Sequence, residues 1–450
     1  MHDRSRHDAG VRDWGRAHAL LSLLAAAAPL CAAGDQPPPS ASTQRPHVLT
    51  LALAIQEGLA FDPRVSAQAE TVRQAEADVR TASLPPNPSL SVSGTLIPLG
   101  GSFTAETQGG PSQLDLELSF PLGWVVFGKR GAAVASAAAG LDQTRASYDD
   151  FVRQRRSEIA TAFVDVLEAR RLLELAGQET ADLDRIQTIA RERAAVGGAA
   201  PVEVDRTAVA VLEARRERRR REATLAVARA ALAAGVGRNG ADAEFEVDGE
   251  LAVASPTPPP ELESLVAKAE QSRPDIIARR RAVARTSAEL RLAHKGAWPE
   301  LTSRVGLTRQ YQEPLGFPDT SSWGVGLDVE VPVFDRNQGG IARATSAEVQ
   351  SELELRAALL ALRSEVQQAA ADYSVAREAV LAEDPAQLEA AERVRDRIRK
   401  AYEIGGRPLL EVLDAERVYR EAARQVASGS AAFWRAVHRL NAAVGQEVVP

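Results

Sequence analysis

Pro88, Pro121 and Gly128 recur as Pro299, Pro332 and Gly339, each pair 211 positions apart, and Pro63 and Leu90 recur at the same distance as Pro274 and Leu301. Further on, Gly197-Gly198 recurs as Gly405-Gly406 and Glu203-Val204 as Glu411-Val412, now at a distance of 208. The chain is an internal duplication, with a period too long for a solenoid repeat. The change of spacing reads as three residues lost inside the second long helix, which in a coiled coil is a local change of supercoil. Two halves that share one core make a single body of the 450 residues. The boundaries read as a leader over 1–33, a linker over 34–47, a first repeat over 48–237, a connection over 238–260 and a second repeat over 261–446.

Each copy has the same order of elements. Apolar residues at helical spacing predict a helix from Leu49 to Ala82, ended by Pro85-Pro86-Asn87-Pro88. The period then changes to two. Leu90, Val92 and Leu96 alternate with serines and threonine, and Leu114, Leu116, Leu118 and Phe120 alternate with Asp115, Glu117 and Ser119. In the second copy Leu301, Val305 and Leu307 alternate with polar residues, as do Trp323, Val325, Leu327, Val329 and Val331. Each strand reads as about 9–11 residues, the length a tilted strand needs to cross a bilayer. Long Ala-rich stretches follow, from Lys129 to Val196 and from Ile341 to Ile404, with little turn chemistry beyond residues such as Gly140, Gly177 and Pro385. Each would be a rod of about 100 Å, which must bury its apolar stripe against other helices. The Gly-Gly pairs stop these rods, Pro201 and Pro408 begin the returning helices, and each copy closes in an αα-hairpin with a Gly-rich tip.

Arg4, Arg6, Arg12 and Arg16 precede an apolar run from Ala17 to Leu30, too short to span a bilayer and suited to export. Cys31 is the only cysteine, so no intramolecular disulfide forms; it is either a lipid-attachment site or lost by cleavage after Ala32 or Ala33. The net charge of −7 argues against a nucleic-acid surface, and the basic run Arg215 to Arg221 reads as a solvated helix face. No catalytic constellation, cofactor motif or zinc site is legible. His294 and His438 lack Cys or His neighbours, no His accompanies the loop serines, and Gly324-x-Gly326 lies within a strand rather than opening a helix.

Both strand pairs are entered and left by helices, so all helices fall on one side of any membrane that the strands cross. Four strands cannot enclose a channel, because about eight are needed even for a filled barrel. The open edges must pair with other copies, and a trimer supplies twelve strands. The expected fold class is mainly α with a transmembrane β-barrel. With Leu and Val facing lipid, Asp115, Glu117, Asp328 and Glu330 face the lumen and favour cations. A soluble sheet with one wet face is the alternative. Glu411 and Asp414, three apart, share a helix face, and threefold symmetry would gather six carboxylates that need compensation by Arg407 or by metal. Ordinary acids in a first helical turn are the alternative there.

The layout closely resembles TolC-type outer-membrane efflux channels. So do Pro86-Asn87-Pro88 before the first strand, Phe334-Asp335-Arg336-Asn337-Gln338-Gly339 after the fourth, and Gly405-Gly406-Arg407-Pro408-Leu409-Leu410-Glu411-Val412-Leu413-Asp414-Ala415-Glu416. The resemblance runs from about Leu49 to Gly445, and the Phe-Asp-Arg-Asn-Gln-Gly run is most similar to the heavy-metal branch. It implies a homotrimeric conduit in the outer membrane, a periplasmic helical tunnel, a periplasmic adaptor (membrane fusion) protein and an inner-membrane resistance-nodulation-division pump. It also implies a constriction at the hairpin tips, matched here by Gly405, Gly406, Arg407, Glu411 and Asp414, with Glu203 in the first copy. Cargo could be heavy-metal cations, or drugs and organic solutes. A periplasmic adaptor should instead carry one hairpin flanked by β domains, and a coiled-coil scaffold leaves the strand pairs without a role.

Overall fold

The computed structural model describes residues 48–97, 99, 110–239, 244–253 and 256–449; the leader, Cys31, the 34–47 linker and most of the 98–111 loop lie outside the described residues. The helix expected from Leu49 to Ala82 is two helices, α1 (Leu51–Phe61) and α2 (Pro63–Ser83). Pro63 lacks an N–H and keeps Asp62 out of helical geometry, so the chain breaks there, and the Asp62 carboxylate caps α2 by accepting the Arg64 N–H at 2.9 Å. The second copy breaks identically at Pro274, between α6 (Leu262–Ser272) and α7 (Pro274–Gly296). The residue at each break is buried, with opposite sign in the two copies. Asp62 pairs with Arg155 at 2.7 Å, whereas Arg273 pairs with Asp275 and Glu365, each at 2.7 Å.

A four-residue helix α3 (Gly123–Val126) follows the first strand pair and leads into the rod α4 (Lys129–Ala195), 67 residues without interruption. After the tip, α5 (Pro201–Gly235) returns. The second rod is divided: α8 (Gln338–Glu378), a π-helical turn over Ala379–Glu383, and α9 (Asp384–Glu403), with Pro385 in the first turn of α9; α10 (Leu409–Val444) returns. The drop from 211 to 208 is therefore not one deletion inside the rod. Pro121 and Phe127, which bracket α3, match Pro332 and Phe334 at 211 and 207, so four residues are lost where the second copy has no counterpart of α3; the left-handed residues that open the two rods are Gly128 (φ 70°) and Asn337 (φ 58°). Arg156-Ser157-Glu158 then matches Arg363-Ser364-Glu365 at 207, and the glycines at the tip match at 208. The π turn lies between these landmarks and takes up the one residue regained, as a single-residue insertion in an α-helix does.

Four strands form one antiparallel sheet in the order β2 (Ser89–Thr95), β3 (Ser112–Pro121), β5 (Glu300–Tyr311), β6 (Thr320–Glu330). β2 is shorter than expected, 7 residues, because Leu96 takes φ 55° and leaves the ladder. A second, two-stranded sheet pairs β1 (Val48–Leu49) in parallel with β4 (Glu246–Val247) of the connection. The connection is strapped to both rods at equivalent arginines. Arg170 donates to the carbonyls of Val247 and Gly249 at 2.6 and 2.8 Å, and Arg377 to that of Pro256 at 3.0 Å.

Apolar burial is spread over three clusters among the described residues. One, in the first copy, includes Leu49, Ile159, Phe163, Val166, Leu232 and Phe245; its counterpart includes Leu265, Val366, Tyr373, Phe433 and Leu440; a small third cluster lies at the tip. A rod with so thin a stripe is stable only through such lateral packing. Gly237 (φ 68°) lets the chain leave α5 against α1, since a Cβ there would sit 2.5 Å from the Phe61 carbonyl oxygen. Beside it Arg238 and Glu57 form a buried bidentate pair at 2.7 and 2.8 Å. Replacing Arg238 with Met should cost about 3–5 kcal/mol by leaving the Glu57 carboxylate buried without its partner. The double replacement Glu57→Leu, Arg238→Met should recover most of that loss. Denaturant unfolding of the three proteins measures this; equal losses in the single and double variants would contradict it.

Candidate functional site

Two regions gather the residues singled out by sequence. At the tip, Gly197 and Gly405 adopt φ 75° and 84°, and the Gly198 and Gly406 N–H groups donate to the carbonyls of Arg193 and Ala401, each at 2.8 Å, closing α4 and α9. Arg193 joins the two hairpins. Its guanidinium lies 4.7 Å from the Tyr402 ring centroid and donates to the carbonyls of Tyr402 at 3.0 Å and Gly198 at 3.1 Å. Beneath it Leu183, Ile186, Val211, Tyr402, Leu409 and Val412 are buried together.

The tip carboxylates fall into different environments. Asp414 is exposed, the Glu411 side chain keeps 40% of its surface exposed, and each is compensated on its own helix, Glu411 by Arg407 at 3.1 Å and Asp414 by Arg417 at 2.8 Å. Glu203 is half-buried instead, and its Oε2 has no hydrogen-bond partner among the described residues. Burial, together with the Glu203 charge, pushes the Tyr402 phenol up. Arg417 was legible as an i, i+3 partner of Asp414; Arg193 and Tyr402 carry no local signal, because they meet across hairpins.

A charged layer between α4, α9 and α10, farther from the tip, escaped sequence reading for the same reason. Glu179 receives Arg420 at 3.1 Å and Arg424 at 2.7 Å, and Asp182 receives Arg399 at 3.1 Å. These groups line a cavity of about 410 Å³ with Glu416, which is only 1% exposed. Glu416 sits 3.7 Å from Arg420 and 4.0 Å from Arg399, and its Oε1 has no hydrogen-bond partner among the described residues.

The second region is the four-stranded sheet. Strand register puts Ser89, Ser91, Ser93, Asp115, Glu117 and Ser119 on one face with Glu300, Thr302, Arg304, Thr308, Asp328 and Glu330. The other face carries Leu90, Val92, Leu114, Leu116, Leu118, Val305, Leu307, Trp323, Val325 and Leu327. Asp115 accepts the Thr308 hydroxyl at 2.6 Å. Arg304 stands between Glu117, at 3.7 Å, and Asp328, which it contacts directly. Glu330 lies opposite Glu300, itself paired with Lys129. The polar face thus holds five carboxylates against the single Arg304. No helix among the described residues is long and apolar enough to cross a membrane, and no group of three or more His, Cys, Asp or Glu among them is placed to hold a metal.

A family profile described as outer membrane efflux protein matches residues 54–238 and 265–446, once per copy. The chain belongs to that family. It is similar to the cobalt-zinc-cadmium resistance protein CzcC of Cupriavidus metallidurans, 26% identical over 377 residues, which are 84% of this chain and 85% of that protein. It is also similar to Protein CyaE of Bordetella pertussis, 27% identical over 351 residues, 76% of this chain and 72% of that one. Among solved structures it superposes on CusC with a TM-score of 0.73 at 20% identity, covering 88% of this chain and 92% of that chain. It superposes on VceC of Vibrio cholerae with a TM-score of 0.72 at 18% identity, covering 88% and 96%. The fold is that of the TolC-like channels, and the chain is an outer-membrane efflux channel protein.

In this efflux protein the buried Glu416 should give stability an unusual pH dependence. Burial pushes its carboxyl above the ordinary 4.5, against the pull of Arg420 and Arg399. The folded state therefore holds that proton more firmly than the unfolded chain, and the stability tied to Glu416 rises as pH falls through its folded value toward 4.5. Asp62 acts in the opposite sense and at lower pH. Burial disfavours its charge, but hydrogen bonds from Arg64 and the charge of Arg155 hold it below 3.8, so its contribution is intact above 3.8 and lost only as pH falls through the lower folded value. Melting temperatures of the native protein and Glu416→Gln should therefore diverge between neutral pH and 4.5, the native protein gaining on the variant as acidity rises. A difference independent of pH over that window would contradict this.

Proposed function

We propose that three copies join their sheets edge to edge into a twelve-stranded cylinder in the outer membrane, with the helices continuing as a tunnel into the periplasm. The carrying observation is the sheet, with one face of serines, threonines and carboxylates, the opposite face of Leu, Val and Trp, and both edge strands, β2 and β6, unpaired on their outer sides among the described residues. Lipid tolerates strands only in a closed barrel, and four strands are too few to close. Cargo arrives from an inner-membrane resistance-nodulation-division pump through a periplasmic adaptor that docks at the tips around Gly405 and Gly406, and leaves passively. The tunnel narrows where Glu411 and Asp414 approach the axis, with Arg407 and Arg417 neutralising them when closed. Glu203 lies in the first hairpin beside that constriction, its Oε2 without a hydrogen-bond partner among the described residues.

Heavy-metal cations are the cargo we favour, supported by likeness to a relative named for cobalt, zinc and cadmium resistance and by the acidic wall of Asp115, Glu117, Asp328 and Glu330. A deletion strain should become sensitive to these metals; sensitivity confined to dyes and drugs would favour organic cargo instead. Purified protein in a planar bilayer under a salt gradient should show a reversal potential of cationic sign. Arg304→Ala should raise cation preference further by freeing Glu117 and Asp328. Anion preference, or a monomer in mild detergent that conducts nothing, would contradict the reading.

A further inference from the structure

The charged layer between α4, α9 and α10 holds more buried polar atoms than it pairs. Glu416 is 1% exposed and its Oε1 has no hydrogen-bond partner among the described residues, and the same is true of Nε and Nη2 of Arg420, one turn along α10. The nearest ions stop short of this carboxylate. Arg420 is 3.7 Å from it and Arg399 of α9 is 4.0 Å from it, beyond hydrogen-bond reach, so the three side chains border a gap instead of closing on one another. All three line the cavity of about 410 Å³. Buried polar atoms without partners are costly, charged ones most of all.

The returning helix does not need these charges in order to form. At the 208 spacing of the tip, α5 carries Ala208 and Leu212 where α10 carries Glu416 and Arg420. The surroundings then say what would satisfy the gap. On α4, Glu179 and Asp182 are already engaged, by Arg420 and Arg424 and by Arg399, and Arg185 stands 3.6 Å from Asp182. On α9, Arg395 lies over the Tyr419 ring at 3.7 Å and is met by Glu392 and Asp396, which do not line the cavity; Glu421, also outside it, is 4.0 Å from Arg424. Within the wall itself five arginines face three carboxylates. Burial lifts the Glu416 carboxyl above 4.5, with a push from Asp182 and against the pull of Arg420, Arg399 and Arg395. With that proton in place the carboxyl is a donor, and the complement of a wall of donors with excess positive charge is an anion.

We propose that the cavity between α4, α9 and α10 binds a small tetrahedral oxyanion, sulfate or phosphate, on Arg399 and Arg420, with the Glu416 carboxyl donating to it. Nε and Nη2 of Arg420 form one edge of a planar guanidinium, the geometry that grips two oxygens of such an ion at once. So held, the ion joins α9 to α10. The site lies within one chain and does not depend on the trimeric reading.

Sulfate is the probe, because its charge does not change between neutral pH and 4.5. Isothermal titration calorimetry on the full-length protein in detergent, at constant ionic strength, should show one site per chain, severalfold tighter near pH 4.5 than at neutral pH. Glu416→Gln keeps a donor and carries no charge, so it should bind at neutral pH as tightly as the native protein does under acid conditions, with no pH dependence. Arg420→Gln and Arg399→Gln should each weaken binding about tenfold at either pH. The two arginines are replaced separately, and circular dichroism checks that each variant keeps its helices. Native protein that takes up no sulfate, or sulfate binding that both arginine variants leave intact, overturns the site and assigns the cavity to water. Binding that needs the arginines but is unchanged by pH and by Glu416→Gln overturns the part given to Glu416.

Discussion

The edges of the four-stranded sheet constrain everything else in this molecule. β2 and β6 each present a row of backbone N–H and C=O groups with no strand partner among the described residues. In hydrocarbon each such group costs several kcal/mol, so the sheet is tenable in a membrane only when those rows are paired. In the proposed assembly that demand is met by the strand pairs of neighbouring copies, and each pair is joined to a long helical rod beneath the sheet. The ion pairs of the buried residues before Pro63 and Pro274, Asp62 with Arg155 and Arg273 with Glu365, hold the short leading helices against those rods.

Most of this architecture is legible in sequence because it depends on periodicity. Alternation in the strands and long Ala-rich runs in the rods are one-dimensional signals, and duplication states each of them twice. The tip glycines at 197 and 405 are legible for the same reason, since a positive φ after a helix leaves few choices of residue. Asn337 was less so: the left-handed turn that Gly128 makes in the first copy is made by asparagine in the second, two positions ahead of the glycine that alignment by type would choose. The π turn was invisible, because nothing in Ala379–Glu383 announces it and only the change in spacing on either side betrays an added residue.

Charge was the harder matter. The sequence called for Arg407 or metal to compensate the tip carboxylates; Arg407 does pair with Glu411, but Arg417 beside Asp414 and the half-buried setting of Glu203 were not read from it. Local spacing shows which ions share a face, but not which ions from another helix will arrive there. Arg304, Arg193 and the Glu179–Arg420–Arg424 group were missed on that account. Balance of this kind suits a passage that closes and opens, because compensated carboxylates tolerate proximity that bare ones would resist.

The π turn divides the second rod into unequal spans. Above it the helix is strapped to the connection through Tyr373 and Arg377, which reach the carbonyls of Thr257 and Pro256; below it α9 runs free of that strap to the tip. An extra residue in one turn widens it and weakens its backbone bonds, and helices bend at such places. The first rod has no such joint over its 67 residues. A bend of the second hairpin should therefore concentrate at Ala379–Glu383, a hinge for which the unbroken first rod has no counterpart.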